Sequence, residues 1–185
     1  MTLRILQMKN SLRQIDGNWD LGFVLDKHKI SSTPTGYNDY GHMQFDTIRT
    51  EVGEALFKLK YRNDSSQIQP LAEELANTIF PKFDKVGMLI PMPSSKKRPQ
   101  QPVTELTKSI GKIVGKPVFE DILVKGINSD QLKNLKLKGE KLEALEECFT
   151  VNDSIDNEGR WNVLMIDDLF DTGASMETAC AALEL

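Results

Sequence analysis

The sequence is short of several things, and each shortage removes a class of function. It has two cysteines in 185 residues, Cys148 and Cys180. They lie far apart and match no metal-ligand spacing. Each sits among apolar neighbours in a helical context, where core packing is the ordinary role of a free thiol. No apolar run approaches the length of a membrane span, and the first residues lack a signal-peptide apolar stretch. The expected compartment is therefore the cytoplasm, with no membrane partner. Basic residues are outnumbered, 23 Lys and Arg against 27 Asp and Glu, for a net charge of −4. Such a chain is not a dedicated DNA-binding module, although local basic patches stay open. A G-x-x-x-x-G-K-[ST] phosphate loop is also missing: the Gly-Lys pairs at positions 111 and 115 lack the rest of that pattern. The two histidines, His28 and His42, have no motif around them.

What remains is ordinary for a soluble globular protein, with 39% hydrophobic and 27% charged residues. The length suits one α/β domain, with room for a small appended subdomain. Residues 1–18 read as a short strand or an untethered lead-in, and 19–29 as a strand. Residues 31–40, rich in Ser, Thr, Pro, Gly and Asn, read as a loop. Ile48, Val52, Ala55, Leu56 and Leu59 mark one face of a helix. Ser66 then caps a second, with Ile68, Leu71, Leu75 and Ile79 on its apolar face and Pro81 closing it.

Residues 86–92 form a continuous apolar run, as expected of a buried parallel strand. The run enters the turn-rich basic loop Pro93-Ser94-Ser95-Lys96-Lys97-Arg98-Pro99. Val103, Leu106, Ile110 and Val114 mark a further helix, stopped by Gly115 and Pro117. Another strand is expected over 118–124, a charged, Leu-punctuated helix within 131–147, a clear strand over 162–166, and a last helix through Met176, Ala179, Cys180 and Leu183. Alternating hydrophobic strands and helices predict an α/β fold, with a central, mostly parallel sheet flanked by helices. The predicted division is an N-terminal region over 1–65 and a core over 66–185.

The chemistry concentrates in Val163-Leu164-Met165-Ile166-Asp167-Asp168-Leu169-Phe170-Asp171-Thr172-Gly173-Ala174-Ser175. A buried strand delivers two adjacent carboxylates at its C-terminal end, where open α/β sheets bind ligands. Asp167 and Asp168 suit vicinal hydroxyls, to which each offers charge-assisted hydrogen bonds. A tight turn at Gly173 follows, with hydroxyls at Thr172 and Ser175 at a helix N-terminus, a place that favours a phosphate dianion. The bland alternative is an acidic strand end followed by a helix cap, which leaves the order of these elements unexplained. A Walker B strand is excluded by the missing phosphate loop.

This stretch resembles the phosphoribosyl pyrophosphate (PRPP) motif of type I phosphoribosyltransferases. Leu59-Lys60-Tyr61-Arg62, Ile90-Pro91-Met92-Pro93 and the block from Gln131 through Glu140-Lys141 to Phe149-Thr150-Val151 extend the resemblance to the ComF family of competence-associated phosphoribosyltransferase-like proteins. The resemblance implies a small N-terminal hood over the core, within residues 19–65, that recognises the acceptor base; Tyr37, Tyr40 and Phe45 are its candidate stacking residues. It also implies roles for the core residues. Asp167 and Asp168 would hold the ribose hydroxyls, and Asp171, Thr172, Gly173, Ala174 and Ser175 the 5-phosphate. Ser94, Ser95, Lys96 and Lys97 would hold pyrophosphate, with Mg²⁺ bound through the substrate rather than by side chains. For the basic run through Arg98, a solvated surface patch is the competing account.

The sequence departs from the family pattern in three places. Asp171 stands where ComF-like loops usually have Thr; in purine-salvage phosphoribosyltransferases an Asp there handles the base's proton, so Asp171 is the candidate catalytic acid/base, with helix capping as its alternative. The Cys-rich zinc segment that begins many ComF-like proteins has no counterpart, since no cysteine precedes position 148. The sequence ends in the helix after the phosphate loop, where the family adds another strand; either the sheet edge is short or exposed, or a partner subunit completes it in a homodimer, or the sequence is a truncated piece of a longer protein. Two functions follow. One is transfer of phosphoribosyl from PRPP to a nitrogenous base with release of pyrophosphate. The other is a catalytically silent PRPP- or nucleotide-binding helper in DNA uptake or DNA processing, where any link to nucleic acid rests on the resemblance alone.

Overall fold

The computed structural model describes residues 7–94, 98–126, 148–152, 155 and 159–184. It is a mixed α/β structure. Two antiparallel hairpins come first: β1 (Arg13–Ile15) with β2 (Gly22–Val24), then β3 (Lys29–Tyr37) with β4 (Met43–Arg49). The lead-in is tethered, because the buried Glu74 accepts from the Met8 amide at 3.0 Å and the Asn10 side-chain amide at 2.7 Å.

Residues 31–40 are not the expected loop. Most of them belong to β3, whose Ser and Thr residues are at home on a solvated strand; Ser32 and Thr47 even pair their hydroxyls across the hairpin at 3.0 Å. The turn is confined to 38–42. There the Asn38 side-chain oxygen accepts from the amides of Tyr40 and His42, and Gly41 takes a φ of 74°. The polar composition reported exposure, not irregular backbone.

Helix α1 (Glu51–Arg62) begins two residues after β4, so Ile48, counted above with the helix, lies in the strand. Thr50 is its N-cap: the hydroxyl accepts from the Gly53 amide at 3.0 Å and donates to the Lys27 carbonyl at 2.6 Å. Gly53 is needed because a Cβ there would collide with the His28 carbonyl. Glu51 and Glu54 in the first turn and Lys60 and Arg62 in the last suit the helix dipole. Thr50→Ala removes both bonds and is expected to destabilise the fold by about 1 kcal/mol, lowering Tm by roughly 2–4 °C in a thermal melt.

A single 3₁₀ turn leads into α2 (Ile68–Thr78), and a second follows it at Phe80–Lys82, where Pro81 stands. Strand β5 (Met88–Pro91) and helix α3 (Pro102–Val114) come next, with Gly115 at a φ of 67° closing α3 as expected. The chain continues through β6 (Leu123–Lys125), β7 (Phe149–Val151), β8 (Val163–Ile166) and α4 (Ala174–Leu183). Of the strand expected over 118–124, Val118 makes a single parallel bridge to Leu89 and the regular part starts at Leu123. The helix expected within 131–147 lies outside the described residues.

Every residue of β5 is buried, and its side chains alternate between two apolar clusters. Leu89 joins Leu25, Val52, Leu59, Leu71 and Ile110 on the side of α1, α2 and α3. Met88 and Ile90 join Leu123, Cys148, Phe149 and Ala179 on the side of β6, β7 and α4. A strand apolar on both faces is what a parallel strand between two layers requires. Among the described residues the parallel pairing consists of β5 with β8 and the bridge at Val118, while β6 pairs β7 antiparallel. No helix among the described residues is long and apolar enough to cross a membrane.

Candidate functional site

Strands β5 and β8 run in register from Met88 opposite Val163 to Pro91 opposite Ile166, and the Met92 amide continues the ladder onto the Ile166 carbonyl at 2.8 Å. Both strands therefore end at one level. The loop carrying Ser94 and the loop carrying Asp167 and Asp168 leave the sheet side by side. They flank a cleft of about 320 Å³ whose lining includes Ser94, Asp167, Asp168 and Ser175, with Lys60, Arg98 and Lys125 as its cations among the described residues.

The two carboxylates differ in their surroundings. Asp168 pairs with Lys60 at 2.7 Å, with side chains only 13% and 26% exposed. Asp167 accepts from the Asp168 amide at 2.7 Å. Burial and the neighbouring Asp168 charge push its carboxyl up to about 6, against the pull of that amide, Lys60 and Lys125. The two aspartates thus differ: Asp168 is held in an ion pair with Lys60, and the Asp167 carboxyl is raised by burial. His28, in the segment beside α1, is held below its usual range by burial and by Arg49, Lys29 and Lys60, with Asp168 opposing.

The turn after the carboxylates is built around aromatic rings. Gly173 is buried at a φ of 84°, and a Cβ there would press on the Phe170 ring at 3.1 Å. Phe170 meets Trp19 edge to face at 6.4 Å between centroids and lies 5.7 Å beneath the Arg13 guanidinium. The Asn18 side-chain amide donates to the Glu177 carbonyl in α4 at 2.7 Å. The β1–β2 hairpin thus braces the turn that presents the N-terminus of α4. In the first turn of any helix the amides lack intrahelical acceptors, which makes this a place for an anion.

Of the residues singled out from sequence, Ser94, Asp167, Asp168 and Ser175 line the cleft. Gly173 and Ala174 form the turn and first helical position behind it. Asp171 and Thr172 are exposed and outside that lining, and the Thr172 hydroxyl accepts a long 3.4 Å bond from the Ala174 amide. Ser95, Lys96 and Lys97 lie outside the described residues. Tyr37, Tyr40 and Phe45 are exposed on the β3–β4 hairpin. Cys148 is buried and Cys180 half-buried, and burial raises both thiols.

Sequence reasoning gave no individual site role to Lys60, Tyr61, Arg98 or Lys125. The basic cluster at the end of α1 was a visible signal, but its proximity to Asp168 is a tertiary fact. Lys60 is held from two directions: its ammonium by Asp168, and its carbonyl by the Arg98 guanidinium at 2.8 Å.

The competence protein ComFC of Bacillus subtilis (strain 168) aligns with this chain at 30% identity over 138 residues, 74% of the chain. The chain is a ComF-like protein. It spans about half the length, 55%, of that curated relative. No family model matches it, and no solved structure does. In this ComF-like chain the cleft gathers both members of the acidic pair and the start of the helix after the Thr-Gly turn, the elements on which the resemblance rested.

Proposed function

We propose that the protein is a type I phosphoribosyltransferase that binds PRPP in the β5–β8 cleft and transfers phosphoribosyl to a nitrogenous base. The observation that carries this reading is the composition of the cleft among the described residues: two carboxylates at a strand end, a helix N-terminus beside them, and three cations in the same lining, one of them paired with Asp168. The finer fold that goes with it is a central parallel sheet of which β5 and β8 are members. Asp167 and Asp168 accept from the ribose hydroxyls. The amides of Thr172, Gly173 and Ala174, with the Ser175 hydroxyl, take the 5-phosphate. Ser94 to Lys97 take pyrophosphate, and the region within residues 19–65 serves as hood.

Among the described residues no cluster of three His, Cys, Asp or Glu side chains could hold a metal, and one of the two cleft carboxylates is committed to Lys60. These donors fit an Mg²⁺ ion carried in on PRPP oxygens, where it would neutralise the departing pyrophosphate. During transfer the bond from ribose C1 to pyrophosphate breaks, C1 bonds to the base nitrogen, and the nitrogen's proton passes to Asp171 or to water. The work is positioning and charge stabilisation.

The second reading, a PRPP-binding helper without turnover, is favoured by one observation: Asp171, the candidate acid/base, does not line the cleft. The name of the B. subtilis relative places it in competence, and a helper role in DNA uptake would follow that association. Calorimetry with PRPP, with and without Mg²⁺, followed by a pyrophosphate-release screen over bases, separates the readings. Mg²⁺-assisted binding with release, sharply reduced in Asp171→Ala, is the expected result. Binding without release selects the helper; full turnover in Asp171→Ala removes that residue from catalysis; no PRPP binding by folded protein overturns both.

A further inference from the structure

A second, shallower concavity opens off the cleft where α1 ends. It shares Lys60, Tyr61 and Arg98 with the cleft and adds Asn63 and Pro99. We propose that this annex is the acceptor subsite, and that it takes a flat nitrogen heterocycle bearing a carboxylate on one edge. The proposal rests on the phosphoribosyl-transfer reading and names the substrate class that would go with it.

The flat face comes from Tyr61. Its ring is 59% exposed, yet it is backed by a stack that fixes it in place. Phe57, one turn earlier on α1, lies 5.3 Å away between centroids. The Arg49 guanidinium sits 3.7 Å from the centroid of Phe57, and Arg62 lies 5.7 Å from the same ring. An aromatic ring that is exposed and yet braced from behind loses little freedom when a second ring settles on it.

The preference for an anionic edge comes from charge. Among the described residues the annex lining holds two cations, Lys60 and Arg98, and no carboxylate; Asp167 and Asp168 line the main cleft, where Asp168 pairs the Lys60 ammonium at 2.7 Å. Lys60 has its ammonium 6.0 Å from the Tyr61 centroid. Arg98 is anchored by its bond to the Lys60 carbonyl, so its planar fork is set before a ligand arrives. A heterocycle lying on Tyr61 presents its edge to these two groups. Lys60 is already paired with Asp168, so the charge the edge group meets is that of the Arg98 guanidinium, to which a carboxylate offers charge-assisted bonds that a neutral base does not match.

The test uses orotate and nicotinate as carboxylated probes, with uracil and nicotinamide as their uncharged counterparts, each titrated into the full chain with and without PRPP and followed by saturation-transfer NMR and calorimetry. The expected result is a preference for the carboxylated member of each pair of roughly tenfold or more. Tyr61→Ala should weaken those probes roughly tenfold while Tyr61→Phe, which keeps the ring, restores them. Arg98→Gln should erase the preference for the carboxylate and leave the uncharged probes as they were. Equal affinity for charged and uncharged rings, indifference to Tyr61→Ala in folded protein, or no binding of any probe under either condition would each overturn the proposal. Ring binding by a wild type that ignores PRPP would leave the annex standing and remove the transferase reading; PRPP binding without ring binding would do the reverse.

Discussion

Asp167→Asn is expected to make the protein more stable and, on the phosphoribosyl-transfer reading, to weaken PRPP binding. The folded carboxyl is pushed up to about 6 from an unfolded value near 3.8. For a carboxylate whose folded pKa is raised, the sign is unfavourable at neutral pH. Below about pH 4 both states are protonated and nothing is lost. Between about 4 and 6 the unfolded chain ionises first and stability falls; above 6 the full penalty stays, about 3 kcal/mol for a shift of roughly two units. Asparagine removes it while its side-chain oxygen can still accept the Asp168 amide bond. Thermal melts at pH 7.5 should show a rise of roughly 6–12 °C, shrinking toward zero near pH 4. On the proposed reading PRPP affinity should fall roughly a hundredfold, since a charged acceptor facing the ribose hydroxyls becomes neutral. A variant no more stable than wild type at pH 7.5 would mean that Asp167 is not held desolvated. A residue that lowers stability yet sits in a ligand cleft is a common mark of a site shaped by function.

The cleft was legible in sequence to the extent that its residues are contiguous. The strand, the acidic pair and the Thr-Gly turn fall within thirteen residues, and local chemistry was enough to assemble them. The strand Met88–Pro91 was equally plain, because a continuous apolar run flanked by turn signals has few other uses. Two kinds of feature escaped. The hairpin Lys29–Tyr37 with Met43–Arg49 was hidden because its Ser and Thr residues look like loop composition when both strands stand in solvent. The cationic wall was hidden because Lys60, Arg98 and Lys125 come from three elements, and nothing in their spacing says that they converge. Arg98 in particular was given no site role of its own in the basic loop, with a solvated surface patch as the competing account, whereas its guanidinium is bonded to the last turn of α1.

Lys60 is where that convergence has the largest consequence, and Lys60→Met is the sharpest test of it. Methionine keeps much of the unbranched stem beside Tyr61 and removes the ammonium, leaving Asp168 charged, mostly shielded from water and without its 2.7 Å partner. Breaking one side of a partly buried pair should destabilise the fold by about 2 kcal/mol at pH 7.5, measured by urea denaturation. A second effect separates this from simple loss of packing. Lys60 is one of two cations that pull the Asp167 carboxyl down, so its removal moves that midpoint above 6. If PRPP needs Asp167 ionised, wild-type affinity rises with pH through about 6, and in Lys60→Met the same rise comes at higher pH. The groups that face Asp167 are Asp168 on its own loop, Lys60 on α1 and Lys125 on β6, and only the Lys60 contribution is altered. Lys60→Arg, which keeps the charge, should return the pH profile toward wild type even where its longer fork leaves some stability unrecovered. An unshifted profile in a folded Lys60→Met protein would show that the lysine merely braces α1; a shifted profile rescued by arginine would mean that the end of α1 sets the charge of the acidic pair.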